Sequence, residues 1–263
     1  MLSTGIAELD RMLGGGFAPG SSVVVLGATG IGKTHLGLAF ASAGLKQEGK
    51  RGAILDLTLR GDSQRHREYA RRLFGWELEE VRDVEPFSLG DGRLFKLFAG
   101  EAETEAVLDT RLPELLRFLY GSFASGARRL VVDGIEPLGT AKVQEEALAY
   151  IARMVRKRHD WLAREALRER FFSLRGLVAE RSYKANEITT VYLVTARENL
   201  LEELIRQGIS GSGLEANATT VILMGRIVEG GRVRRALYVA KHRGARCSDA
   251  IAEFRITQRG IEM

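Results

Sequence analysis

The chain has 263 residues, 45% of them hydrophobic, enough to bury the core of one large α/β domain spanning residues 1–263. No apolar run is long enough to cross a bilayer and no charged-then-apolar leader opens the chain, so no membrane partner and a cytoplasmic location are expected. Cys247 is the one cysteine, which excludes an intrachain disulfide and a cysteine-built metal site, and the formal net charge is a modest +5.

In chain order, Leu9, Met12 and Leu13 have helical spacing, and the triplet Gly14-Gly15-Gly16 closes that helix. Pro19-Gly20 turns the chain into a β-branched strand, Val23–Leu26. Next comes Gly27-Ala28-Thr29-Gly30-Ile31-Gly32-Lys33-Thr34, the G-x-x-x-x-G-K-T phosphate loop, followed by a helix from His35 to about Gln47 that Gly49 ends. Glycines let successive backbone N–H groups point inward at a helix N-terminus, so Ala28, Thr29, Gly30, Ile31, Gly32, Lys33, Thr34 and His35 are expected to line a nucleotide's phosphates. Lys33 has the length and charge to reach the β- and γ-phosphates, and the Thr34 hydroxyl suits Mg²⁺.

Ala53–Leu57 reads as a second strand, residues 62–74 as a helix closed by Phe74-Gly75-Trp76, Arg93–Phe98 as a third strand and Leu108–Tyr120 as a helix. Leu130-Val131-Val132-Asp133 is an apolar strand ending in a carboxylate. In a parallel sheet that places Asp133 at the carboxyl edge beside the phosphate loop, where it would hold the magnesium's water shell. Lys142–Ser182 is helical in pattern, with a stumble at Arg158-His159-Asp160. Between Arg153 and Arg175, eight basic residues face only three acidic ones. This basic elaboration, 154–182, fits a solvated helical face, an electrostatic handle for nucleic acid, or a contact with a protein partner, and the protein contact is preferred. Thr189–Thr195 is a strand, Leu200–Gly213 a polar, glycine-spaced loop. Thr219–Met224, Arg232–Ala240 and Ala252–Ile256 are closing strands, the first two joined by a Glu229-Gly230-Gly231 hairpin turn. The expected class is α/β, a mostly parallel sheet flanked by helices with a β-rich C-terminal meander.

Several stretches together carry a more specific signal: Ser3-Thr4-Gly5-Ile6…Leu9-Asp10…Leu13-Gly14-Gly15-Gly16 ahead of the phosphate loop, then Phe74-Gly75-Trp76-Glu77-Leu78, Val131-Val132-Asp133 and Tyr238-Val239-Ala240-Lys241-His242-Arg243-Gly244. With Phe254-Arg255-Ile256-Thr257 near the end, they resemble the KaiC-like branch of the RecA-fold P-loop ATPases over nearly the whole chain. The resemblance implies a RecA core that assembles as a ring, usually of six, with ATP and Mg²⁺ at subunit boundaries. It also implies that Lys241 and Arg243 reach the γ-phosphate held by the neighbouring subunit. By spacing alone this pair fits a solvated pair on an edge strand equally well.

Two departures from the family pattern stand out. The glutamates that polarise the attacking water at the end of the family's second strand are replaced here by Thr58 and Leu59, neither of which is a base near neutral pH. Asp56 and Asp62 are substitutes by proximity only, and a structural role is preferred for each. Cys247 stands where the family's clock protein carries a histidine. Three functional readings follow: a slow, ring-forming Mg²⁺-dependent ATPase in regulation or signalling, with Lys33, Asp133, Lys241 and Arg243 as its catalytic set; an ATP-gated assembly scaffold without effective hydrolysis; and a DNA recombination or helicase relative, which would need mobile loops such as Leu200–Gly213. Self-association and a regulatory protein partner are expected ahead of nucleic acid.

Overall fold

The computed structural model describes residues 1–49, 52–56, 63–75, 79–80, 95–98, 128–134, 188–209 and 213–263. The expected helices over Leu108–Tyr120 and Lys142–Ser182, the basic segment 154–182, and Thr58, Leu59 and Asp62 lie outside the described residues.

Among the described residues ten strands form one sheet, in the order β10-β9-β8-β7-β1-β6-β5-β2-β4-β3. They are β1 Ser22–Gly27, β2 Ala53–Asp56, β3 Glu79–Glu80, β4 Phe95–Phe98, β5 Arg129–Asp133, β6 Thr189–Thr195, β7 Thr220–Glu229, β8 Arg232–His242, β9 Ala252–Thr257 and β10 Gly260–Glu262. From β3 to β7 every pairing is parallel, and from β7 to β10 every pairing is antiparallel. The central strands read as continuous apolar runs because both faces are covered: Val23, Val24 and Val25 of β1 are all fully buried.

On one face lies α2, Lys33–Glu48, which packs against β5, β6 and β1. Its Leu36, Leu38 and Phe40 join Val23, Val25, Val131, Val191 and Leu193 in one core, each such side chain contributing roughly 1.5–3 kcal/mol by burial. Close approach is built in, since a Cβ on Gly37 would sit 2.8 Å from Val131 Cγ1. A left-handed Gly49 ends the helix, as the sequence predicts. The α3 helix, Ser63–Phe74, also falls where it was expected.

Residues 2–17 form a compact module around α1, Ala7–Met12. Leu2 and Phe17 pair across its mouth, with N–H to carbonyl distances of 2.7 and 2.8 Å, and Phe17 packs edge-on against Phe40 with ring centroids 5.4 Å apart. The helix is ended by a left-handed glycine cap. Gly14, at φ +65°, donates to the Arg11 carbonyl at 3.2 Å and Gly15 donates to the Asp10 carbonyl at 2.7 Å. The Asp10 carboxylate closes the module from inside, accepting from the Thr4 N–H at 2.6 Å, the Thr4 hydroxyl at 2.7 Å and the Ser3 hydroxyl at 2.5 Å.

The structure changes the reading in four places. The expected loop over Leu200–Gly213 contains a helix, α4, Leu201–Gln207, whose buried Leu201 and Leu204 pack on β7. Its acidic first turn, its Arg206 and the following Gly208 are ordinary helix start and stop signals that the surrounding glycines obscured. A second short helix, α5, Gly213–Asn217, leads into β7. The β7–β8 hairpin is longer than expected, reaching Glu229 on one arm and His242 on the other. Finally, β3 and β10, of 2 and 3 residues, are too short to leave a periodic signal.

A candidate nucleotide site at the carboxyl edge of the sheet

The phosphate loop leaves β1 at Gly27 and enters α2 at Lys33. Ala28 and Ile31 are buried beneath it, whereas Thr29 and Gly30 are exposed at its crest. Gly32 is the residue before the helix and sits at φ +125°, with β9 directly behind it: a Cβ there would lie 3.0 Å from Ile256 Cδ1 and 3.5 Å from Phe254 Cε2. A side chain at this position would be strained by its backbone and pressed against the Ile256 side chain as well. The N-terminus of α2, a helix of 16 residues, has no capping side chain and no acid in its first turn. The positive dipole end of the helix therefore meets no protein carboxylate of its own first turn and suits an anion.

Lys33 is largely buried and folds back along the loop, its ammonium donating to the Gly27 carbonyl at 2.8 Å and the Ala28 carbonyl at 3.1 Å. The cation thus lies against the concave backbone that would hold phosphate. Next to it, the Thr34 hydroxyl donates to Asp133 Oδ2 at 2.7 Å, joining two residues that are 99 positions apart in the sequence. A hydroxyl and a carboxylate, both hard oxygen donors, fit Mg²⁺. Asp133 ends β5 in register with Leu193 on one side and Asp56, the last residue of β2, on the other. His35 is also brought here, but its ring is buried against Tyr69 of α3 at a centroid distance of 4.5 Å, so its packing role is plain.

Lys241 and Arg243 are not part of this cluster. β8 runs antiparallel to β7, pairing Lys241 with Val221 and His242 with Thr220, while β1 pairs Gly27 with Met224 and Val23 with Thr220. Lys241 therefore lies about 10 Å back along the strand direction from the row where the phosphate loop begins, at the amino edge of the sheet. There its ammonium donates to the carbonyls of Glu215 at 2.9 Å and Ala216 at 2.8 Å, near the end of α5. Arg243 is exposed, with one long contact of 3.4 Å to the Ala216 carbonyl. Between them, His242 Nδ1 lies 2.9 Å from the Thr220 hydroxyl, and burial holds its imidazole below the usual histidine range.

One residue escaped the sequence reading. Arg129, the first residue of β5, is fully buried and paired: Nε donates to Glu48 Oε1 at 3.0 Å, Nη1 to the carbonyls of Ser3 at 2.6 Å and Phe40 at 2.9 Å, and Nη2 to Gln47 Oε1. It ties the N-terminal module to the far end of the helix that begins at the phosphate loop.

A parallel sheet with a phosphate loop after its central strand, a strand-end carboxylate against the loop's threonine and an antiparallel meander on one flank defines a RecA-like P-loop protein. Comparison with known proteins agrees. The family model for the KaiC ATPases matches residues 2–163, and the chain belongs to that family. A UPF0273 protein of Methanopyrus kandleri is 27% identical, with all of this chain and 91% of that protein aligned. The circadian clock oscillator protein KaiC of Parathermosynechococcus lividus is 26% identical over the whole of this chain, which spans 40% of that protein. In structure, a KaiC-like protein of Pyrococcus horikoshii superposes with a TM-score of 0.58 at 22% identity, covering 99% of this chain and 96% of the other. No helix among the described residues is long and apolar enough to cross a membrane.

Proposed function

We propose that this protein is a Mg²⁺-dependent ATP-binding protein that assembles through its nucleotide sites, hydrolyses ATP slowly and serves a regulatory role. The observation that carries the reading is the separation of two half-sites. The phosphate loop with the Thr34–Asp133 pair occupies the carboxyl edge of the sheet, and the basic Lys241–Arg243 pair occupies the amino edge. Among the described residues neither half holds both sets of groups, and stacking one subunit's amino edge on the next subunit's carboxyl edge would join them.

In the joined site the α2 N-terminus and the loop N–H groups bind the phosphates, and Lys33 exchanges its loop carbonyls for phosphate oxygens. Thr34 and Asp133 would hold Mg²⁺, which would supply charge neutralisation to the phosphates. Arg243 of the adjoining copy balances charge on the departing phosphoryl group, a contribution that in other systems reaches about 10³–10⁵ in rate. In the sequence Thr58 and Leu59 stand where the family carries its glutamates, so the roughly 10²–10⁴-fold that such a positioned base contributes is forgone and turnover is slow.

The same substitution supports the second reading, an ATP-gated scaffold. Phosphate release with Mg·ATP, run beside light scattering with and without nucleotide, separates the two. Slow release that is lost in Lys33→Ala and sharply reduced in Arg243→Ala supports the ATPase. Nucleotide-dependent assembly without release supports the scaffold, and a nucleotide-insensitive monomer overturns both. The strand-exchange reading has lost part of its mobile loop, because Leu201–Gln207 is a helix packed on β7.

A further inference from the structure

The glycine-rich N-terminal segment touches the loop that follows the K-x-R-G near the other end of the chain. The Met12 carbonyl, at the open end of α1, accepts the Ser248 N–H at 2.9 Å. Gly14 lies flush against the same loop, where a Cβ would meet the Arg246 carbonyl at 3.3 Å. Cys247, between them, packs its partly buried side chain on the core. On the strand side of the loop, the Arg243 N–H donates to the Thr219 carbonyl at 2.9 Å, and Lys241 is engaged with the carbonyls near the end of α5. Residues 243–248 are therefore gripped at both ends while the Arg243 side chain stays exposed.

The gripping module is itself cross-tied. Asp10 ties its interior, the Leu2–Phe17 pair closes it, and the buried Arg129 anchors the Ser3 carbonyl to the end of α2. We infer that residues 12–14 are the positioning element of the trans-acting loop: Met12 and Gly14 set where residues 243–248 run, and so where Arg243 is presented to the adjoining subunit's phosphate. This rests on the trans-completed site proposed above. It divides the basic pair between two roles, with Arg243 delivering charge and Lys241 holding α5 and the strand end in place.

Two substitutions outside both half-sites test it. Gly14→Asn keeps a residue that accepts the left-handed cap but sets a side chain against the Arg246 carbonyl. Ser248→Pro deletes the N–H that the Met12 carbonyl accepts. Each is compared with Arg243→Ala for affinity toward a fluorescent ATP analogue and for phosphate release, or for ATP-dependent assembly if release is absent from the parent. Each is then mixed with Lys33→Ala, whose own loop is disabled but whose Arg243 is intact. The expected result is unchanged analogue affinity, turnover or assembly reduced about 10²-fold, the cost of an ångström-scale misplacement, and recovery on mixing. Parent-like behaviour in both variants while Arg243→Ala is impaired overturns the positioning role and leaves the trans site standing. Loss of analogue affinity, or no recovery on mixing, assigns the segment to stability alone and overturns it too. An Arg243→Ala variant that behaves as the parent removes the trans site, and the inference with it.

Discussion

Lys33 rests its ammonium on two backbone carbonyls of its own loop, and Thr34 rests its hydroxyl on Asp133. Both contacts hold side chains where phosphate and metal would engage them. Losing one charge-assisted bond from Lys33 to a phosphate oxygen, worth about 1.5–3 kcal/mol, should weaken ATP about 10- to 100-fold in Lys33→Ala by isothermal titration. Thr34→Ala should instead leave metal-free nucleotide binding nearly intact and abolish the gain in affinity that Mg²⁺ provides, an outcome read by repeating the titration in chelator. His242 gives a pH signature. Its folded imidazole resists protonation, so its contribution is fully present above about pH 6.5, the ordinary histidine value, and is lost as pH falls below it. The urea midpoint of the parent should therefore drop further between pH 7.5 and 5.5 than that of His242→Asn.

At the scale of elements, legibility followed the range of the interactions. The phosphate loop could be read because its conformation is written locally: Gly32 needs its positive φ whatever surrounds it, and the strand before and helix after have strong patterns. Arg129 could not, because its partners Ser3, Phe40, Gln47 and Glu48 are 81 to 126 residues away. Nothing near it distinguishes a buried staple from a surface cation that begins a strand. Breaking such a buried, paired charge costs about 3–5 kcal/mol, and Arg129→Ala should show that loss in urea denaturation. The missed α4 makes a complementary point: its two buried leucines, Leu201 and Leu204, are too few to establish a period, and its stability comes from packing on β7. Leu204→Ala should cost about 2–5 kcal/mol, against a change within about 0.5 kcal/mol for Val228→Thr at the exposed hairpin tip.

For the molecule as a whole, the opposite placement of the phosphate loop and Arg243 has a consequence for growth. In the trans-completed assembly proposed above, each copy would be a bifunctional monomer with one accepting end and one donating end, joined head-to-tail. Such monomers polymerise without limit unless the angle between ends brings the last copy back to the first. On that reading a ring would be a terminated polymer, with ATP as the linker at every bond. Arg243→Ala and Lys33→Ala become chain stoppers of opposite polarity: traces of either should shorten assemblies of the parent, in proportion to the fraction added, by light scattering.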